Sequence, residues 1–283
     1  MSEFNTTIKT FSDQYRLKTL DRVKLLAHYP LFKMYWYSNY GKGITKRISD
    51  HLYPLFDSYS IKVKVLDKQD NCLEIPIKFD NYDLASFKEI FWGLEYGEVL
   101  KMSDIHTVFD IGANTGMASL FFLASLPLKK LIAVEANPGL IPELNTILDD
   151  KRVEVENLAI YGERGSMKFN VSENHRESTI CEDENAEGKN VVAVSTLLLD
   201  DLLKKHSLEE ADLLKMDIEG AEYNILENTP ESFLKFKYIY IEIHGDKKTR
   251  DQFRSKMIDV GFDLVQIFGS EHPICETSLL KRK

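Results

Sequence analysis

The stretch Asp110-Ile111-Gly112-Ala113-Asn114-Thr115-Gly116 follows the apolar run Thr107–Phe109 and opens a helical segment, Met117–Leu126. Small residues let a backbone close in on a ligand, and a helix N-terminus presents free N–H donors. The spacing therefore predicts a nucleotide-binding loop, and the acid at its head bears on which nucleotide. A dinucleotide fingerprint reads GxGxxG, with a pyrophosphate on the helix N-terminus. Here the glycines are spaced GxxxG and Asp110 stands just ahead of them. A carboxylate in that place repels a pyrophosphate and favours a cation; the ammonium and sulfonium of S-adenosylmethionine (SAM) suit it. The next apolar run, Leu131–Val134, ends in Glu135, followed by Ala136, Asn137 and Pro138. An acid roughly 20 residues past a glycine loop is placed to accept hydrogen bonds from a ribose diol. Nicotinamide enzymes use the same device, so Glu135 points to an adenosine ligand without choosing between them.

A second set of reactive side chains lies further on. Asp217 closes the run Leu213–Met216, while Glu242 and His244 stand two apart in the run Tyr238–Ile243 and just after it. A strand's period of two turns Glu242 and His244 to the same face. Glu219 and Glu222 read as acids at a helix N-terminus, favoured by its dipole, with an inward orientation open to Glu219. The polar stretch Ser172–Ile180 carries His175, Arg176 and Ser178, suited to a polyhydroxyl ligand or to plain solvent exposure.

The elements that must position these groups follow from the pattern of apolar runs. Thr107–Phe109, Leu131–Val134, Val153–Val155, Leu213–Met216 and Tyr238–Ile243 alternate with amphipathic segments. That alternation marks a parallel sheet covered on both faces, with ligands outside the carboxyl ends of its strands. Residues 158–196 break the alternation with β-like pieces and a polar loop, Ser172–Asn190. Upstream, Ile61–Val65 and Cys72–Ile77 flank the turn-prone Asp67–Asn71 and predict a β-hairpin. A helical stretch runs from about Leu84 to Leu100. Residues 13–56 have helical spacing with Leu17, Leu20, Val23 and Ala27 on one face and a break at Pro30. The reading gives an N-terminal helical and hairpin extension over 1–80, a lid or docking surface, and a catalytic domain over 81–283.

Composition narrows the classes. The chain has 283 residues, 43% hydrophobic and 29% charged, ordinary values for a globular protein with a sizeable core. No apolar run reaches the 18 residues of a membrane span, and MSEFNTTIKTF is not read as a secretory leader. Cys72, Cys181 and Cys275 form no CxxC pair, which fits a reducing cytoplasm and argues against a zinc site. A net charge of −9 argues against nucleic acid as a partner. Residues 1–50 depart from it, with nine Lys/Arg against four Asp/Glu, consistent with a basic helical cap or an acidic surface as partner.

Three further blocks complete a pattern: Asn157-Leu158-Ala159-Ile160, Leu214-Lys215-Met216-Asp217-Ile218-Glu219-Gly220-Ala221-Glu222 and Ile241-Glu242-Ile243-His244-Gly245. With DIGANTG and EANP they resemble the FkbM-type methyltransferase family over about residues 80–245. Phe87–Phe91 with Tyr96 resembles that family's opening segment, and residues 1–60 carry no likeness. The resemblance implies an α/β, class I methyltransferase (Rossmann-like) fold with a doubly wound, mostly parallel sheet. It implies methyl transfer from SAM to an oxygen, often a hydroxyl of a sugar or a secondary metabolite. By position, Asp110, Gly112, Asn114, Thr115 and Gly116 would line the methionine end of SAM. Glu135 would hold the ribose and Ala159 with Ile160 would border the adenine, with Ala136, Asn137 and Asp217 also among the cofactor-binding residues.

If the strands before Asp217 and His244 are neighbours, as in that fold, their ends lie roughly 5 Å apart. Asp217, Glu242 and His244 then converge beside the transferred methyl. Removal of the hydroxyl proton asks for a base; His244, which ordinarily titrates near neutrality, is the first choice, with Asp217 orienting it. Two other readings stay open: the three side chains hold a divalent metal, or they form an ion-paired cluster with no chemical part. At the level of the whole chain, the competitors are a catalytically silent subunit of the same fold and a nicotinamide-dependent dehydrogenase. The missing GxGxxG and Asp110 disfavour the dehydrogenase.

Overall fold

Short, apolar, β-branched runs cannot hide their backbone alone, and here they pair into one sheet. The computed structural model describes residues 9–40, 42–52, 59–79, 83–172, 178–181 and 190–283. The chain divides into two compact units, residues 1–101 with 120–127 and residues 102–119 with 128–283.

In the larger unit, β3 (Thr107–Ile111), β4 (Lys130–Glu135), β5 (Val153–Asn157), β10 (Ala211–Met216), β11 (Phe236–His244), β12 (Phe262–Phe268) and β13 (Cys275–Arg282) form a seven-stranded sheet. Its order is β12-β13-β11-β10-β3-β4-β5. β3, β4, β5, β10 and β11 run parallel, as the alternation of apolar runs predicts, and β13 is antiparallel to both neighbours. From β3 the chain winds outward through β4 and β5, then returns to β10 on the other side of β3. The loops after β3 and β10 thus flank the point where the winding reverses, where open α/β sheets bind ligands. Phe109, Ile111, Ile132, Leu214, Met216, Ile239 and Ile241 are all buried in one core under this point. Central strands of a parallel sheet bury both faces, hence the near-continuous apolar runs.

The interrupting segment folds into a small second sheet. In it β6 (Ala159–Ile160) pairs parallel with β9 (Val191–Leu197), and β7 (Gly165–Asn170) lies antiparallel between β9 and β8 (Thr179–Cys181). Ala159, Phe169 and Val194 form its own buried cluster. His175 and Arg176 lie outside the described residues.

In the smaller unit the predicted hairpin is present: β1 (Ser60–Leu66) pairs antiparallel with β2 (Cys72–Lys78). Its turn is held by Asp67, whose carboxylate accepts the N–H groups of Gln69 and Asn71 and the amide of Asn71. Two sequence expectations are corrected here. Helix α1 (Thr19–Ala27) does not bury the face of Leu20, Val23 and Ala27; Leu20 is 79% and Val23 58% exposed. It buries Asp21 and Leu25 instead, because Asp21 accepts the Lys64 N–H and Lys24 donates to the Lys62 carbonyl of β1. Pro30 breaks the helix as expected, but it then sits in the first turn of α2 (Tyr29–Tyr40), where a missing N–H costs nothing. The single helix expected over Leu84–Leu100 is also interrupted. After α4 (Asp83–Phe87) a π-helical turn at Lys88–Trp92 closes on Gly93, and a 3₁₀ turn follows at Gly97–Lys101. A Cβ on Gly93 would stand 2.6 Å from the Glu89 carbonyl oxygen.

Aromatic rings fill this unit. Phe121, wholly buried, packs edge-on or tilted against Tyr15, Phe91, Tyr96 and Phe122. Burial also raises the Tyr15 hydroxyl well above its ordinary range. Phe121→Ala removes a ring from this cluster and is expected to cost about 3–5 kcal/mol in denaturant unfolding. A loss under about 1 kcal/mol would mean that the cluster closes over the gap or contributes little.

Candidate functional site

The geometry begins with a charged pair. Asp110 on β3 and Lys215 on β10 stand directly opposite in the sheet register. Their side chains are 0% and 5% exposed, and the ammonium lies 3.1 Å from the carboxylate. Lys215 also donates to the Gly112 carbonyl at 2.7 Å, and Ser119 donates to Asp110 at 2.6 Å. The structure therefore places Asp110 beneath the glycine loop, engaged with protein groups. Lys215 went unnoticed as a functional residue, although a lysine inside the apolar run Leu213–Met216 is the signal that could have found it.

Above this pair the loop is held in a strained shape. Gly112 has φ +77°, and a Cβ there would fall 1.8 Å from the Asp217 carbonyl oxygen. The residue has to be glycine because the loop after β10 presses on it. Asn114 also takes a left-handed φ of +52°, a conformation asparagine tolerates. Its N–H donates to Glu135 at 2.8 Å, and the N–H of Asn137 donates to the other Glu135 oxygen at 2.7 Å. Burial raises the pKa of Glu135, opposed by these two N–H donors. Asn137 in turn caps the Gly139 N–H.

A cleft of about 580 Å³, part of it open solvent, lies here. Of the expected cofactor residues, Gly112, Asn114, Glu135, Ala136, Ala159, Ile160 and Asp217 line it. Asp110, Thr115, Gly116 and Asn137 are not on its wall. Asp110, Thr115 and Asn137 are buried, and a Cβ on Gly116 would meet Leu144 at 3.0 Å. Leu158, Phe169 and Ile180 supply the apolar side, and Ser178 joins them. The cavity wall suits an adenosine-bearing cation: each Glu135 oxygen keeps a lone pair, and Asn114 Oδ1 is buried without a partner.

Asp217 and Glu219 continue the same wall. The end of β11 brings His244 beside them, within 3.3 Å of Glu219, 3.2 Å of Glu222 and 3.8 Å of Glu242. Asp217, Glu242 and His244 do meet, and Glu219 joins them. Glu222 is the side chain that sequence reasoning undervalued. It is wholly buried at the start of α8 (Glu222–Asn228), accepting the Gly220 N–H and both the N–H and the ring of His244. Tyr223 donates to the His244 carbonyl. Thr179 of β8 donates to the Glu219 carbonyl, tying the small sheet to the same loop.

The electrostatics of the cluster bear on His244. Burial alone would lower the His244 imidazole, but Glu222, then Glu219 and Asp217, raise it to about 9. That direction favours the imidazolium over the neutral ring. Burial and then Asp217 raise Glu219 to about 7, and the same two causes raise Glu242. Cys275, across the register from His244, is pushed up to about 12 by burial and by Glu242.

The strand order, the antiparallel β13 and the cavity at the switch point define a class I methyltransferase fold. The chain belongs to the methyltransferase FkbM domain family, whose domain matches residues 110–267. Methyltransferase sdnD of Sordaria araneosa is 25% identical over 213 residues, 64% of this chain and 82% of that protein. The 2-O-methyltransferase NoeI of Sinorhizobium fredii (strain NBRC 101917 / NGR234) is 25% identical over 150 residues, 48% of this chain and 62% of that one. This chain thus spans less than two thirds of the length of NoeI. The crystal structure of methyltransferase FkbM from Methylobacillus flagellatus KT aligns with a TM-score of 0.43 and 13% identity, covering 68% of this chain and 47% of that one.

Two outcomes test this geometry. Lys215→Met leaves Asp110 buried without its counter-charge and is expected to cost about 3–5 kcal/mol. Adding Asp110→Asn should recover a good part of that in urea melts, and a double mutant no better than the single one would sink the pairing. His244 has a folded pKa raised above its unfolded value of about 6.5. Its ion pairs therefore contribute stability that is full below that value and lost as pH rises through about 9. The stability gap between wild type and His244→Gln should narrow across that window. A gap constant with pH would show that folding does not raise the imidazole's pKa.

Proposed function

We propose that the protein is a SAM-dependent O-methyltransferase acting on a hydroxyl of a small molecule or glycan, a sugar or secondary metabolite. The observation that carries this reading is one cavity with two chemistries on its wall: Glu135 and Asn114, and the Asp217–Glu219 corner of the carboxylate–imidazole cluster. SAM supplies an electrophilic methyl whose transfer to an acceptor oxygen releases a neutral thioether. Glu135 would accept from the ribose hydroxyls, Asn114 from the ammonium, and Ala159 with Ile160 would border the base. Asp110 acts from below: with Lys215 it holds Gly112 and the loop in place.

Transfer to oxygen also requires a place for the hydroxyl proton and an oxygen held in line with the bond that breaks. Asp217, Glu219, Glu242 and His244 stand close enough to titrate as one unit, and that unit takes the proton. The similarity to NoeI, a 2-O-methyltransferase, supports oxygen as the acceptor. The net charge of −9 supports an acceptor other than nucleic acid. The unpaired Cys72 and Cys275 accord with a cytoplasmic setting. Among the described residues no helix is long and apolar enough to cross a membrane.

The test is calorimetry with SAM followed by mass spectrometry for a gain of CH₂ on hydroxyl-bearing acceptors. SAM should bind, and Glu135→Ala should weaken it by about 1.5–3 kcal/mol, a charged hydrogen bond's worth. The mutant should also lose the preference for SAM over its 2′-deoxyribose analogue. Binding of NAD with none of SAM would overturn the reading, and equal losses for both SAM analogues would take Glu135 off the ribose.

A further inference from the structure

The feature this reading leaves unused is the arrangement around His244 Nε2. Nδ1 of the same ring faces Glu222 at 3.2 Å, and Glu222 is wholly buried. A buried carboxylate on one ring nitrogen orients the ring and leaves the other nitrogen, Nε2, where a metal ion can take the place of its proton; metal-binding histidines are held this way. Nε2 points at Glu219 and Glu242. A ring nitrogen of His244, a Glu219 oxygen and an Asp217 oxygen lie within 4.8 Å of one another. Donors about 2.1 Å from one ion are about 3–4.2 Å apart, so small rotations close the triad. Asp217 Oδ1 is buried with no hydrogen-bond partner. Among the described residues, His244 is the one cation ion-paired with Glu219, Glu222 and Glu242. An excess of carboxylate without a matching base asks for a cation.

We propose that Asp217, Glu219 and His244 hold a divalent cation, Mn²⁺ in preference to Ca²⁺, with open coordination positions facing the cavity. Two carboxylate oxygens and one imidazole form a donor set of intermediate hardness, unlike the all-oxygen shells calcium takes. Asp217 and Glu219 line the cavity, so an open position on the ion faces the space where an acceptor hydroxyl would lie. Coordination there lowers the hydroxyl's pKa. The proton then falls to Glu242, the cluster member left outside the triad, as the acceptor oxygen takes the methyl and the carbon–sulfur bond breaks. The ion's chemical role rests on the methyltransferase reading; its binding does not.

The experiment uses the full chain, stripped with EDTA and titrated with Mn²⁺ while the free-ion EPR signal is followed. One ion per chain is expected. Glu219→Gln should weaken binding at least tenfold, and Glu222→Gln by 10–100-fold through the loss of the second partner of His244. Asp201→Asn, at a surface pair with Arg164, should leave binding unchanged. Circular dichroism shows which variants fold, and Asp217→Asn replaces any that does not. No loss of the Mn²⁺ signal at millimolar protein, or binding by Glu219→Gln and Asp217→Asn as tight as the wild type's, overturns the site. Calorimetry with SAM on the same metal-free chain separates the two readings. Mn²⁺ bound with no SAM binding leaves the site standing and fells the function; SAM bound with no Mn²⁺ does the reverse.

Discussion

A lysine ammonium set against an aspartate between two central strands is the constraint on which the site depends. Neither charge is tolerable alone in that interior, and each strand's position is fixed by the need to keep the pair in register. Lys215 carries a second duty, since it also binds the Gly112 carbonyl. The same ammonium that neutralises β3 therefore sets the height of the loop after it. From that loop the N–H of Asn114 reaches Glu135 at the end of β4. Three neighbouring strand ends are thus linked by charge and hydrogen bonds before any ligand arrives, which is how a rigid binding wall is built from short segments.

Much of this was legible in the sequence because parallel strands leave a plain trace. Each of the five apolar runs is a strand, and the acids Glu135 and Asp217 do sit where such strands end. What the sequence obscured were cases where a polar group takes a buried place through a distant partner. Asp21 faces inward because Lys64, 43 residues away, offers it an N–H; a helical wheel alone puts Leu20 there. Glu222 looked like a dipole-favoured surface acid because nothing local says that His244 will close over it. The interrupted segment after α4 has the same origin: a π turn is a local departure that averaged spacing cannot show.

The cluster at the ends of β10 and β11 shows why residue type is a poor guide to protonation. Histidine in isolation titrates near neutrality, yet a fully buried glutamate on one nitrogen and a partly buried one on the other draw it up to about 9. The carboxylates respond in the opposite sense, with Glu219 drawn up to about 7. Their values belong to the group, and a change at one member is shared by all.

The space at Gly112 has a mechanical consequence. Since a Cβ there would overlap the Asp217 carbonyl, the loop after β3 and the loop after β10 touch backbone to backbone, with no side chain between them to absorb displacement. The Asp217 N–H donates to the Ile111 carbonyl as well. The two loops are therefore geared: a shift of one is passed on to the other within a fraction of an ångström. Whatever settles on the glycine loop also sets the attitude of Asp217, so the two sides of the cavity answer to a single adjustment.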